Sequence, residues 1–565
     1  VALVKIRAPQ ALDDATLTGV GHTLSQLALL GLGSVVIVDC DDGETKASRE
    51  TRLSAIEQAG RIVDAIDSFG GHGARRLDNV IGLSPIDGHS PPLGKVRSGL
   101  RIAHRKFLLD SLQRGVIPVI VPIGFMPGIH SLVPVEAKEV LLALTREFAG
   151  IQTEPMPDES PYAVADKIKK LQAEISLDRI ILLDPLGGIP SLDGNYNAHV
   201  FINLEQEYSG IRNELFKLKV DLDQSSSCKA APGEPFKSMH ENETTSQPRR
   251  EDGDATHINH RISGPLNRVS SAQIHLANLD LLKQSLTILP PSASALLTTA
   301  QEAANIRPSP QKHSQIPGVG TRPQRNPLIY NLLTDKPVFS SSLPSARGPK
   351  PSHAGADTNC VPSPATFVKR GMSVTIIPDP SIQPWHPPIE SSSSVQLLDP
   401  RLDLARLVHL IEDSFSRQLD VPHYISRIES SLAGIIIAGG YEGGAILTWE
   451  TPPHKSPLTA PKVPYLDKFA VLKRSQGAGG VADIVFNAMV RNCFPDGVCW
   501  RSRTDNPVNK WYFERAKGTW KIPGSNWTMF WTTEGVEKGD DTFLDYEAVC
   551  RSVVPSWADK KAVVD

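Results

Sequence analysis

Cysteine is scarce in this 565-residue sequence, aromatic residues make up only 6%, and neither sign of charge prevails. Each shortage narrows the function. The six cysteines, at 40, 228, 360, 493, 499 and 550, are scattered and form no C-x-x-C pair. That spacing argues against a disulfide framework or a zinc site and for free thiols in a reducing compartment. No metal is expected, and Cys493 and Cys499 read as small core residues. A formal net charge of -3 gives no footing for nucleic acid or an acidic membrane surface as partner. No apolar run reaches the ~18 residues of a membrane-spanning helix. Two phosphate-binding loops are missing as well. There is no G-x-x-x-x-G-K-[ST], and Gly477-Ala478-Gly479-Gly480-Val481-Ala482 does not complete G-x-G-x-x-G. The chain opens on Val1-Ala2-Leu3-Val4-Lys5-Ile6, already strand-like. Any targeting segment is therefore expected to have been removed or to lie outside this sequence.

The aromatics that are present gather late. Five of the 8 tryptophans, at 500, 511, 520, 527 and 531, fall between Tyr465 and Trp531, among cations and small residues. Phe469-Ala470-Val471-Leu472 predicts a buried strand. Glycines break it, and Val481, Ile484, Val485, Ala488 and Met489 then recur with the spacing of one helix face. Gly477, Gly479 and Gly480 are thereby placed at a helix N-terminus, whose free N–H groups and dipole suit a phosphate. A side chain there would hold the phosphate off the backbone. A glycine turn between strand and helix is more often only a turn, so the signal is weak by itself. The next predicted strand, Cys499-Trp500-Arg501-Ser502-Arg503, alternates and puts Arg501 and Arg503 on one face. Two neighbouring guanidiniums suit a carboxylate, although a solvated strand face explains them equally well.

The surrounding residues are more specific. Arg474-x-x-Gly477-x-Gly479 resembles the pyrophosphate loop, [Q/R]-x-x-G-x-[G/A], with which GNAT-type N-acetyltransferases hold coenzyme A. The run Trp500-Arg501-Ser502-Arg503-x-x-Asn506-Pro507-x-Asn509-x-Trp511-Tyr512-Phe513 follows Tyr465-Leu466-Asp467-Lys468-Phe469. Together they closely resemble the synthase domain of vertebrate-type and fungal N-acetylglutamate synthases, over about residues 400 to 557. The resemblance implies acetyl-CoA as co-substrate, L-glutamate as acceptor, L-arginine as inhibitor and the mitochondrial matrix as compartment. It also implies a homo-oligomer, admits acetylglutamate kinase as a partner, and calls for neither nucleic acid nor membrane. On the coenzyme it places Val471, Arg474, Gly477, Ala478, Gly479, Gly480 and Asn509. On the glutamate it places Lys468, Arg501, Ser502, Arg503 and Asn506, with Arg417 as a weaker addition.

Catalysis is assigned to Tyr512 and Asn506. A phenol with a pKa near 10 stays protonated at neutral pH and can protonate the departing thiolate. Without the resemblance, Tyr512 reads as an aromatic packed between Trp511 and Phe513, and Asn506 as the turn before Pro507. No histidine base stands beside the motif, since His454 lies in a proline-rich loop. Deprotonation through ordered water, or binding of the neutral amine, fits better. Two other readings stay open: an acetyltransferase for a different amine, and a catalytically silent regulatory binding protein.

Upstream, strands at 34–39, 116–122 and 179–184 and a helix over Arg52–Phe69 imply a largely parallel α/β sheet. Asp39 and Asp184 end strands, where open sheets place ligands. This block resembles the amino-acid-kinase-like domain of the same synthases. Lys5, however, is followed by Ile6-Arg7-Ala8-Pro9, with no glycine loop, so regulation is expected and phosphorylation is not. The expected organisation is an amino-acid-kinase-like three-layer α/β domain at 1–378, a linker at 379–398 and a GNAT-type α+β domain at 399–565. Polar inserts at about 222–268 and 307–365 are expected to be disordered, and Thr366–Ile377 to close the first domain. In the second, Leu404, Leu407, Val408 and Ile411 predict a helix, and Ala433–Trp449 a hairpin turning at 439–444.

Overall fold

The structure is a computed structural model. It describes residues 1–40, 48–83, 99–126, 131–151, 160–191, 198–227, 265–304, 326–337, 342–343, 365–387, 399–455, 461–477 and 480–558. The first part runs β1 (Ala2–Arg7), α1 (Asp14–Leu29), β2 (Ser34–Asp39), α2 (Ser48–Asp67), β3 (Ala74–Leu77), β4 (Ile81–Leu83), β5 (Leu100–Ile102), α3 (Arg105–Gln113), β6 (Ile117–Ile120), β7 (Ile123–Met126) and β8 (Ser131–Pro134). It continues through α4 (Ala137–Phe148), α5 (Pro161–Glu174), β9 (Arg179–Leu183), β10 (Phe201–Asn203), α6 (Leu204–Ser227), α7 (Pro265–Ile288), β11 (Ser294–Thr298), α8 (Ala300–Ala304), α9 (Pro327–Thr334) and β12 (Thr366–Lys369).

Eight of these strands form one sheet in the order β10-β12-β11-β9-β1-β2-β6-β3, parallel except between β11 and β12. Its central strands are apolar at nearly every position, so both faces must be covered. Leu3, Val35, Ile37 and Leu182 pack with Val140 of α4 and Leu282 of α7. Their neighbours Val4, Ile6, Val36 and Val38 pack with Leu24 of α1 and Ile62 of α2 on the other face. These are the three layers expected. A four-stranded sheet, β5-β4-β7-β8, accompanies it.

The second part contains β13 (Val374–Ile377), α10 (Leu404–Phe415), α11 (Val421–Ile428), β14 (Leu432–Ala438), β15 (Gly443–Glu450), β16 (Val463–Val471), α12 (Val481–Asn487), β17 (Cys499–Arg503), α13 (Asn509–Arg515), β18 (Gly518–Lys521), β19 (Trp527–Trp531) and α14 (Asp541–Ser552). Its seven strands lie in the order β13-β14-β15-β16-β17-β19-β18. All neighbours are antiparallel except β16 and β17.

Two expectations are corrected here. Thr366–Ile377 does not end one domain, because β12 belongs to the first sheet while β13 pairs antiparallel with β14 of the second. The chain changes sheets within Arg370–Ser373, where Gly371 has φ +70°. Residues 379–387 are not a free linker either. Trp385 is buried against the second sheet and lies over Gly434, where a Cβ would come within 2.2 Å of the indole. The expected polar inserts lie largely outside the described residues. Some parts do not: the backbone stays helical to Ser227 and α7 begins at Pro265 at the edges of the first insert, and α9 occupies Pro327–Thr334 within the second. Contact between α6 and α7 favours helix where local composition does not.

Candidate active site

The parallel strands β16 and β17 share one register pair, Tyr465 with Cys499, and part towards their C-terminal ends. On the face carrying α12 and α13, one core runs beneath both strands through Leu466, Val485, Trp500 and Phe530. On the opposite face the core divides. One cluster joins Ile446 and Ala470 to α10 and α11, and another joins Tyr465 and Cys499 to α14. The polar side chains of the site lie where the two strands diverge.

A bulge in β16 builds the centre of this group. Ile446 of β15 pairs with Lys468 and Leu447 with Leu466, so Asp467 is the extra residue. A bulge re-aims side chains, and consecutive Asp467 and Lys468 both reach Tyr424 of α11. The Asp467 carboxylate accepts from the Tyr424 hydroxyl at 2.8 Å, from Lys468 Nζ at 3.0 Å and from the Arg427 guanidinium. Burial alone would raise the Asp467 carboxyl, but Lys468 and Arg427 hold it well below the usual carboxylate range. Burial lowers the Lys468 ammonium, and Asp467 opposes that shift. Two cations thus share one carboxylate, leaving a net positive charge within this group of three. Asp467, Tyr424 and Arg427 are absent from the residues nominated on sequence. The one signal is an adjacent carboxylate and ammonium, Asp467-Lys468, in a strand whose other residues are apolar or aromatic.

The four cations nominated for the glutamate fall into two groups around two indoles. Arg417 lies over Trp557 at 4.9 Å, with Lys468 at 5.6 Å from the same ring. Arg501 and Arg503 lie over Trp527 at 4.1 and 6.0 Å, on one face as expected. Arg501 differs from expectation in one respect: its guanidinium donates to the carbonyls of Cys550 and Val553 at the end of α14. Arg503 is half-buried and makes no ion pair among the described residues. Asn506 Nδ2 donates to Ser502 Oγ at 2.9 Å, and its Oδ1 accepts from the Val508 N–H at 3.1 Å, so its side chain serves the turn. Asn509 donates to the carbonyls of Arg503 and Thr504, while its buried Oδ1 has no hydrogen-bond partner among the described residues.

Tyr512 is 7% exposed. Its ring meets Phe469 of β16 at 6.4 Å and Trp500 of β17 at 5.4 Å, so it bridges the two diverging strands. Burial pushes the phenol well above its ordinary value, and the hydroxyl makes no hydrogen bond among the described residues. The phenol therefore stays protonated throughout neutral pH. The thiols nearby are unsuited to act as nucleophiles, since burial raises Cys493 to about 12 and Cys499 well above its ordinary value. His454 reaches Asp545 of α14 at 3.2 Å instead of the nominated residues.

At the far end of β16 the chain makes one tight turn, Lys473–Ser475, that leaves Arg474 exposed. The Val471 N–H donates to Ser414 Oγ, and its carbonyl accepts from Gln476 Nε2, so both backbone groups are engaged within the chain. Gly477 and Gly480 have φ of +76° and +70°, and open space surrounds each where a side chain would begin. Gly480 immediately precedes α12, whose Val481, Ile484 and Val485 bury the expected stripe. Ala478 and Gly479 lie outside the described residues. No described group of His, Cys, Asp and Glu is arranged to hold a metal.

Residues 390–551 match the family described as the N-acetyltransferase (NAT) domain of N-acetylglutamate synthase. The whole chain is 50% identical, over 579 residues, to the mitochondrial amino-acid acetyltransferase of Botryotinia fuckeliana and spans 78% of that protein. It is also 50% identical, over 576 residues, to the mitochondrial amino-acid acetyltransferase of Ajellomyces capsulatus, spanning 82% of it. A looser likeness, at 12% identity and TM-score 0.42 over 94% of each chain, is to N-acetylglutamate synthase from Neisseria gonorrhoeae complexed with coenzyme A and N-acetyl-glutamate.

Proposed function

Because the chain belongs to the amino-acid acetyltransferase family, we propose that it transfers acetyl from acetyl-CoA to the α-amine of L-glutamate, the first step of arginine biosynthesis, in the mitochondrial matrix. The observation that carries this reading is the parting of β16 and β17 between a glycine turn and a group of cations. A gap between parallel strands exposes backbone groups that a pantetheine arm can meet in β fashion. The Gly477–Gly480 turn and the start of α12 suit the pyrophosphate. Lys468, Arg503 and Arg417 would face the two substrate carboxylates. Arg501, tied to α14, would fix the strand that presents Arg503.

In the reaction the neutral α-amine attacks the thioester carbonyl, the C–S bond breaks, and the thiolate takes a proton. Tyr512, kept protonated by burial, is the group proposed to give it. The amine's own proton leaves through ordered water, and a proton returned by the same route restores the Tyr512 hydroxyl. The first domain is proposed to bind L-arginine as inhibitor and not to phosphorylate. What supports the absence of phosphorylation is that Lys5 is followed by Ile6-Arg7-Ala8-Pro9 with no glycine loop, and that Lys5 and Arg7 are engaged by Asp39 at 2.9 Å and Asp184 at 3.1 Å. The test is mass analysis of products from acetyl-CoA with each of the twenty amino acids in turn. N-acetylglutamate alone, or far above the rest, is expected; a different acetylated amine as the main product rejects the assignment.

A further inference from the structure

Arg515, at the end of α13, is 5% exposed although it is an arginine. Such burial requires partners on every side. Its Nη2 donates to Asp483 Oδ1 at 2.8 Å, its Nη1 to the Trp511 carbonyl at 3.2 Å, and its guanidinium lies 4.0 Å over the Trp511 ring. Its Nε donates to Ser342 Oγ at 2.7 Å, and the Ser342 hydroxyl in turn donates to Asp483 Oδ1 at 2.6 Å. Ser342 is itself buried and lies between α9 and β12 in sequence, 173 residues before Arg515. A residue from the first part of the chain thus closes a hydrogen-bonded triangle with two helices of the second. Asp483 sits in the first turn of α12, three residues after Gly480, and Arg515 lies three residues after Tyr512.

We propose that Ser342 is a positioning residue for acetyl transfer. By bridging Asp483 and Arg515 it sets the helix that begins at the glycine turn against the helix that carries Tyr512. The coenzyme end of the site is then incomplete without the first part of the chain. The effect should appear in coenzyme affinity and turnover, not in glutamate binding, because neither helix carries the cations proposed to meet the substrate carboxylates. This inference rests on the reading that coenzyme A seats at the Gly477–Gly480 turn.

The test uses the full chain and two variants, Ser342→Ala and Asp483→Asn. Calorimetric titration with coenzyme A needs no amino-acid substrate, and steady-state kinetics separates the remaining constants. Losing one buried hydrogen bond of this kind should weaken coenzyme A binding about three- to tenfold. Both variants should show that loss together with reduced kcat, while the KM for glutamate stays where it was. A Ser342→Ala chain with unchanged coenzyme affinity and kcat overturns the proposal, even if Asp483→Asn is impaired. So does an even loss in all constants that follows a lowered melting temperature. A parent chain that fails to bind coenzyme A overturns the functional reading as well; a parent that binds, beside variants that match it, overturns this inference alone.

Discussion

At Asp467 one carboxylate, 1% exposed, is shared by the partly buried Arg427 and Lys468, 16% and 11% exposed, and by the hydroxyl of buried Tyr424. Removing one partner from a buried ion group leaves the others uncompensated, which typically costs about 3–5 kcal/mol. Asp467→Asn is therefore expected to lower stability by that order, read from the denaturant midpoint. The sign with pH follows from the depressed folded-state pKa. The contribution of ionised Asp467 is fully present above about pH 4, its unfolded value, and is lost as the pH falls through the lower folded value. The gap between parent and variant should be full at pH 7 and narrow in acid; a gap independent of pH would show that Asp467 is not the linked group. Tyr512 poses the complementary question, since its ring packs on four aromatics, Phe469, Trp500, Trp511 and Phe530. Tyr512→Phe keeps the ring and removes only the hydroxyl. Turnover is expected to fall about 10²–10⁴-fold with glutamate KM little changed. Near-normal turnover, where chemistry limits the rate, would make Tyr512 a packing residue only.

The glycine turn and α12 act as one element. Gly480 has φ +70° just before the helix, with open space around it. Alanine there meets no steric neighbour but a disfavoured backbone, at about 1–2 kcal/mol. Gly480→Ala is thus expected to lower stability by up to that amount and to raise the KM for acetyl-CoA, leaving that for glutamate alone; a change confined to glutamate would contradict the placement. Strands and helices such as β1, β2, β16, α10 and the β14–β15 hairpin were legible because apolar period and turn glycines agree with the final packing. Arg501 and Arg503 were legible as a facing pair, because alternation dictates it. That Arg501 is held by α14 was not, since its partners Cys550 and Val553 lie about fifty residues away. Nor could local pattern reveal the bulge that turns Asp467 inward, or show that β13 pairs with β14 and not with β12. Register between distant segments is set by tertiary pairing, which a single strand's composition does not encode.

Across the molecule, the two sheets exchange the chain within a few residues, so the second cannot be cut out at its apparent linker. A fragment of residues 395–565 lacks β13 and Trp385, uncovering β14 and the space over Gly434. Residues 371–565 should therefore melt cooperatively at a higher temperature than residues 395–565, as followed by circular dichroism; equal melting would mean that β13 adds nothing to that sheet. The central claim is that the coenzyme meets the glycine turn while the amino acid meets the cations of β16 and β17. Arg503→Ala tests it most directly. It removes a charged partner worth about 1.5–3 kcal/mol, so steady-state kinetics should show the KM for glutamate rising roughly ten- to a hundredfold while that for acetyl-CoA is unmoved. A rise in the KM for acetyl-CoA with glutamate unaffected would contradict the account, because the two substrates would then lie on the opposite sides.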